Sequence, residues 1–411
     1  MESTTVILAV ATLAGLYMAW NIGANDVANA MGTSVGSGAL TLRGAIIVAA
    51  IFEFGGAMLV GGTVTETVRQ GIVSLEAVGG DPMILALGMT ACLLAAAVWL
   101  HVATYFGWPV STTHSIVGAV VGFGITAGGV SAVNWGVMGS IVASWVVSPV
   151  LGGVVAYLLF RLLRKRVLDD DEPIEALARF GPWLISVLGF VLTLSLLWKG
   201  LKPLHLNLPI HVALPGAVSA GAVVGLVSIP VLKRRARAIE DGGSHDPERV
   251  FLFLQILTAC FVAFAHGSND VANAVGPLSA VYGAIEHGVS EQVTVPMGML
   301  VVGAVGIVIG LATYGYKVMA TIGKEITALT PSRGFVAEFA AATTIVAASK
   351  LGLPVSTTHT LVGAVVGVGF ARSLGALDLG VVRGIILSWF ITVPFAALLA
   401  AGLFALARLA I

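Results

Sequence analysis

The chain has 411 residues and 21 residues of each charge class, so its formal net charge is zero. Only 10% of residues are charged and 57% are hydrophobic, with a mean hydropathy of +0.99, whereas an ordinary soluble domain carries about a quarter charged residues. This composition excludes the soluble globular class and, with no basic excess, a nucleic-acid binder. Apolar runs of about 20 residues instead fit helices crossing a ~30 Å hydrocarbon core, where backbone polar groups must be paired internally.

The first apolar run, near 4–24, has no basic segment before it and continues past Trp20, so it reads as a retained helix rather than a cleaved signal. It ends in GANDVANA at 23–30. Asn25 and Asn29 are four apart and share a helical face, with Asp26 beside them. An ionised carboxylate within a membrane costs ~3 kcal/mol on insertion scales, so Asp26 is expected to face an interior path. A carboxylate among Asn carbonyls is a hard oxygen environment, suited to a small cation such as sodium, or to a proton. The competing reading is a helix cap.

Runs near 43–62 and 83–105 follow. The first carries an isolated acid, Glu53, for which cation binding, proton relay or gating is the default role. Cys92, like Cys260 later, lies in an apolar run and reads as a small buried hydrophobe. PVSTTH at 109–114 then opens runs near 115–130 and 136–160. Pro109 suits a helix start, so Ser111, Thr112 and Thr113 bring hydroxyls to free N–H groups at the positive end of a helix dipole, which makes an anion site. The alternative for these hydroxyls is back-bonding to helix carbonyls. His114 fits a hydrogen-bonded structural residue better than a proton carrier or metal ligand.

Residues 161–249 form a connector. Basic clusters at Arg161–Arg166 and Lys233–Arg237 flank two apolar runs, near 183–198 and 212–232, and the positive-inside rule places both clusters in the cytoplasm. Five further runs, near 251–268, 295–315, 334–350, 360–372 and 381–405, then echo the first five. GSNDVANA stands at 267–274, PVSTTH at 354–359 and Ser388-Trp389 matches Ser144-Trp145, all offset by 244 or 245 residues. The chain is therefore expected to hold two repeats, 1–160 and 250–411. Asn269, Asp270 and Asn273 take the part of the first acidic motif, and Ser356, Thr357 and Thr358 that of the first hydroxyl motif, with His359 matching His114. Glu338 is a second isolated acid, not equivalent to Glu53 by the repeat offset. Glu66 and Glu325 fall near expected helix ends, where water solvates them.

Five crossings per repeat would invert the second copy and give about twelve spans. A fourth run that re-enters would leave the repeats parallel. Inverted repeats with broken helices at the midplane are the commoner transporter plan. An intramembrane serine hydrolase built on Ser111 or Ser356 is disfavoured, since Ser and His three apart define no triad. A passive channel differs from a carrier in being unable to concentrate its substrate.

The two ND motifs and two STTH motifs together resemble the PiT family of inorganic phosphate transporters, over essentially the whole chain. The resemblance implies an all-α membrane protein of about twelve helices in inverted repeats. It further implies cation-coupled phosphate symport at the cell membrane, sodium being favoured over the proton, by a homodimer without a cofactor. By the same resemblance Asn25, Asp26, Asn269 and Asp270 would bind cation and substrate. Ser111, Thr112, Thr113, Ser356, Thr357 and Thr358 would surround the phosphate. Asn29, Asn273, Glu53 and Glu338 complete the expected sodium ligands. Some relatives carry sulfate, which leaves another oxyanion as the alternative substrate. The connector is short beside the cytoplasmic loop of animal members.

Overall fold

The computed structural model describes residues 2–61, 71–73, 80–198, 208–243, 246–288, 295–319, 329–372 and 377–409. Glu66, Glu325 and the side chain of Asn29 lie outside the described residues. The described chain is all-helical apart from turns and one isolated bridge, Val73 to Val133.

Thirteen α-helices follow one another among the described residues. In the first half they are α1 (Glu2–Ile22), α2 (Ala28–Gly36), α3 (Leu42–Val60), α4 (Pro82–Tyr105), α5 (Thr112–Gly128) and α6 (Trp135–Leu163). The connector holds α7 (Pro173–Leu197) and α8 (Ile210–Asp241). The second half has α9 (Glu248–His287), α10 (Met297–Tyr314), α11 (Pro331–Lys350), α12 (Thr357–Arg372) and α13 (Leu379–Leu409). A π-helical turn, Gly23–Val27, joins α1 to α2, so the first acidic motif begins in a π-turn while its second copy lies inside the unbroken α9. π-turns concentrate at functional sites because they re-aim side chains. Among the described residues nine helical stretches are long and apolar enough to cross a membrane.

Local chemistry sets the helix starts. Asp81 accepts from Met83 N ahead of Pro82 at the first turn of α4, and Thr41 and Asn134 cap α3 and α6 in the same way. The two PVSTTH segments stay extended through Ser111 and Ser356, after which α5 and α12 begin. These helices have 17 and 16 residues, about 25 Å at 1.5 Å per residue, shorter than a full crossing.

Packing interleaves the halves. α5 lies on α4 and on α13, and α12 lies on α11 and on α6, so each short helix leans on the last helix of the other half. Backbone contact makes this possible: a Cβ on Gly122 would sit 2.1 Å from the Ala397 carbonyl oxygen, and one on Gly367 2.1 Å from that of Gly153. The two contacts are related by the sequence offset, so the halves pack on each other reciprocally. α1 and α10 repeat the device through Gly23 and Gly310, and α3 and α9 through Gly56 and Gly267. Small residues serve this purpose in lipid, where close van der Waals packing replaces the hydrophobic drive between helices. α4 and α9 are the most enclosed spans. α6, α8 and α13 turn exposed Val, Leu and Phe outward, among them Val146, Leu226 and Phe390, as lipid-facing helices do.

Candidate functional site

The two acidic motifs and the two short-helix starts converge on one buried cluster. The Asp26 carboxylate bridges the short helices. Its Oδ2 accepts from Thr112 Oγ1 at 2.5 Å and from Thr112 N at 3.3 Å, and its Oδ1 accepts from Thr358 Oγ1 at 2.5 Å. Asp26 thus sits where an anion binds at a helix N-terminus, taking the free N–H and hydroxyl of α5. Asp270 reaches the same point from α9. Its Oδ1 accepts from Asn273 Nδ2 at 2.9 Å and stands 3.4 Å from the hydroxyls of both Thr112 and Thr113. Asn273 Nδ2 also donates to those two hydroxyls, at 3.1 and 3.2 Å. All of these side chains are buried.

A histidine extends the chain of acids. His266 Nε2 lies 3.2 Å from Asp270 Oδ2, one turn away on α9, and Nδ1 lies 2.9 Å from Glu53 Oε2 on α3. Ligand atoms of Asp26, His266 and Asp270 lie within 4.8 Å of one another, a spacing one small cation can bridge. Carboxylate and hydroxyl oxygens predominate, which matches a hard cation better than a soft one. Asp26, His266 and Thr357 also line a cavity of about 10 Å³, room for about one water molecule and none for a tetrahedral oxyanion.

The remaining expected residues divide. Asn25 anchors the approach to α5: Nδ2 donates to Thr104 Oγ1 and to the Trp108 carbonyl, and Oδ1 accepts from Val110 N. Asn269 donates to Ser349 Oγ, the residue equivalent to Thr104 by the repeat offset. Ser111 and Ser356 accept from His114 N and His359 N, so their hydroxyls cap α5 and α12. Glu338 stands apart. It accepts from Thr33, Ser34, Gln255 and Thr258, about two turns beyond Asp26 towards α2, or about 12 Å at helical rise, and three to four turns before Asp270 on α9, or about 18–22 Å. The close backbone contacts explain why Glu53 has no acidic twin: Gly267 packs on Glu53 as Gly23 packs on Ile307, so Ile307 takes its place in the second half. His114 and His359 face each other, ring centroids 4.2 Å apart, against Trp145 and Trp389.

His266 was absent from the residues expected from sequence. Its counterpart in the first copy is Ile22, so the repeat pointed away from it, although its spacing of four from Asp270 was a legible signal. The buried Lys350, next to Ser349, was missed in the same way.

The sequence pattern of the Phosphate transporter family matches residues 22–400. The chain belongs to that family. A solved structure of a sodium-dependent phosphate transporter superposes with a TM-score of 0.90 at 42% identity, covering 99% of this chain and 100% of that one. The chloroplastic inorganic phosphate transporter 2-1 of Arabidopsis thaliana is 45% identical over 426 residues, 96% of this chain and 71% of its own length. A Pyrococcus furiosus protein, provisionally named a phosphate permease, is 47% identical over 399 residues, 97% of this chain and 95% of its own. This member of the phosphate transporter family is thus an integral membrane transporter and not an enzyme.

Proposed function

We propose that this phosphate transporter family member is a sodium-coupled symporter of inorganic phosphate, working by alternating access in the cell membrane as a homodimer. Its repeats, 1–160 and 250–411, have inverted topology about the connector at 161–249. The observation that carries this reading is the double engagement of Asp26, which takes the hydroxyls that begin both short helices. Those hydroxyls, and the N–H groups behind them, are the donors an incoming phosphate needs.

Sodium entering between Asp26 and Asp270 draws the carboxylates off Thr112, Thr113 and Thr358. The freed donors then face the anion, and the sodium offsets its charge. Without sodium the acids hold the donors and repel the anion, so neither solute is favoured alone. This interdependence is the physical content of coupling: a ligand shifts an equilibrium only by its differential affinity for the two states. The small cavity requires α5 and α12 to part before phosphate enters. Support for sodium comes from the oxygen-rich site and from the sodium dependence of the solved relative.

Radiolabelled phosphate uptake into proteoliposomes tests the proposal. An inward sodium gradient should drive accumulation above equilibrium, and Asp26→Asn or Asp270→Asn should abolish it. Accumulation driven equally by a pH gradient without sodium would overturn the sodium assignment. Equilibration without accumulation would make the protein a passive pore.

A further inference from the structure

A groove of about 560 Å³ runs down the outer surface beside α6, α12 and α13, with Trp389, which stacks on His359, in its wall. Its walls are apolar and exposed: Val150, Val154 and Leu158 on α6, Phe370 on α12 and Ile386 on α13. From Pro149 to Leu158 it follows α6 for about 14 Å at helical rise. At its lower end Tyr157 and the Phe370–Ala371 step lead into a second, polar pocket of about 440 Å³. Arg161, Arg164, Lys165 and Asp169 line that pocket. Arg161 donates to the Tyr157 hydroxyl at 3.1 Å, and Arg164 pairs with Asp169 at 3.2 Å. Three cations against one carboxylate leave the pocket positive, where the apolar stretch of α6 gives way to charged residues.

We propose that this paired groove and pocket is a binding site for one anionic glycerophospholipid, its acyl chain along α6 and its phosphate on Arg161 and Lys165. The apolar groove makes a free anion a poor occupant, and the cationic end makes a zwitterionic lipid a weaker one. In a bilayer an acyl chain gains nothing from leaving water, so preference rests on fit along the groove and on charge at its end. Neither contact involves the acids or hydroxyls of the transport cluster, so the proposal stands independently of the ions carried.

Native mass spectrometry of the full-length protein in detergent, titrated with dioleoyl phosphatidylglycerol or dioleoyl phosphatidylcholine, tests it. Wild type should retain phosphatidylglycerol about thirtyfold more strongly, as expected for two cations near an anionic headgroup. The double variant R161Q/K165Q should lose that preference while still binding both lipids. Val154→Trp, which fills the groove, should weaken both lipids together. Equal retention of the two lipids by wild type, a comparison that needs no variant, would overturn the proposal. So would displacement of the lipid by millimolar inorganic phosphate, which marks a free-anion site. Loss of dimer in Val154→Trp with lipid retention unchanged would assign the groove to a second copy of the chain instead.

Discussion

At the residue scale, neighbouring hydroxyls within one hexapeptide do different work. Ser111 caps α5, whereas Thr112, one residue on, holds Asp26. Ser111→Ala should therefore cost about 1 kcal/mol of stability, as lost caps do, and lower the melting temperature in detergent with little change in sodium dependence. Thr112→Val and Thr358→Val remove donors to a buried carboxylate, a loss of ~1–3 kcal/mol each. We expect each to change the sodium concentration for half-maximal uptake by about tenfold or more, and to weaken phosphate affinity at saturating sodium as well, since the same hydroxyls then face the anion. If Ser111→Ala shifted sodium dependence as much as Thr112→Val, the division of roles would be wrong. His266 bridges two acids and accepts the same kind of test. His266→Phe should leave Glu53 and Asp270 without their shared partner and abolish uptake, while Glu338→Gln, acting some 12 Å away, should leave the sodium dependence closer to wild type. Uptake at saturating sodium by His266→Phe and a sodium dose–response curve for Glu338→Gln decide this.

At the scale of elements, the structure depends on short helices that borrow support from the opposite half. A side chain at Gly122 or Gly367 would strike a backbone carbonyl, which no rotamer can relieve. Gly122→Val and Gly367→Val should each destabilise by at least ~3 kcal/mol, the range of severe overpacking, and by similar amounts because the contacts are reciprocal. Thermal melts in detergent would reveal it. A large loss in one variant with none in the other would contradict reciprocal packing. The proline-led breaks before α5 and α12 were legible in the sequence, whereas the second acidic motif, read as ending an apolar run, lies inside the unbroken α9. The π-turn at Gly23–Val27 was not legible, because its sequence differs from the regular helical copy at 267–271 only by Ala24 for Ser268. Backbone register at that point answers to the neighbours of α1, and near-identical motifs cannot encode the difference.

For the whole molecule, inverted repeats predict that equivalent loops face opposite sides of the membrane. Single cysteines at Ser131 and Asp378, just before α6 and α13, in a background with Cys92→Ala and Cys260→Ala, should be labelled from opposite faces by a membrane-impermeant maleimide. Labelling from one face would mean parallel repeats. The sequence alone determined that the chain lives in a bilayer and that its motifs recur at a constant offset, and it singled out the acids and hydroxyls as candidates. Each follows from composition, from identical segments at a constant offset, or from the cost of burying charge in lipid. Only the tertiary structure decided which of those groups meet. Asp26 and Asp270 share the starts of both short helices, Glu53 joins them through His266, and Glu338 is left to a separate hydroxyl nest. Contacts between residues hundreds of positions apart depend on how the two halves interleave, and that depends on the backbone approach allowed at a few glycines, which local sequence spacing does not express.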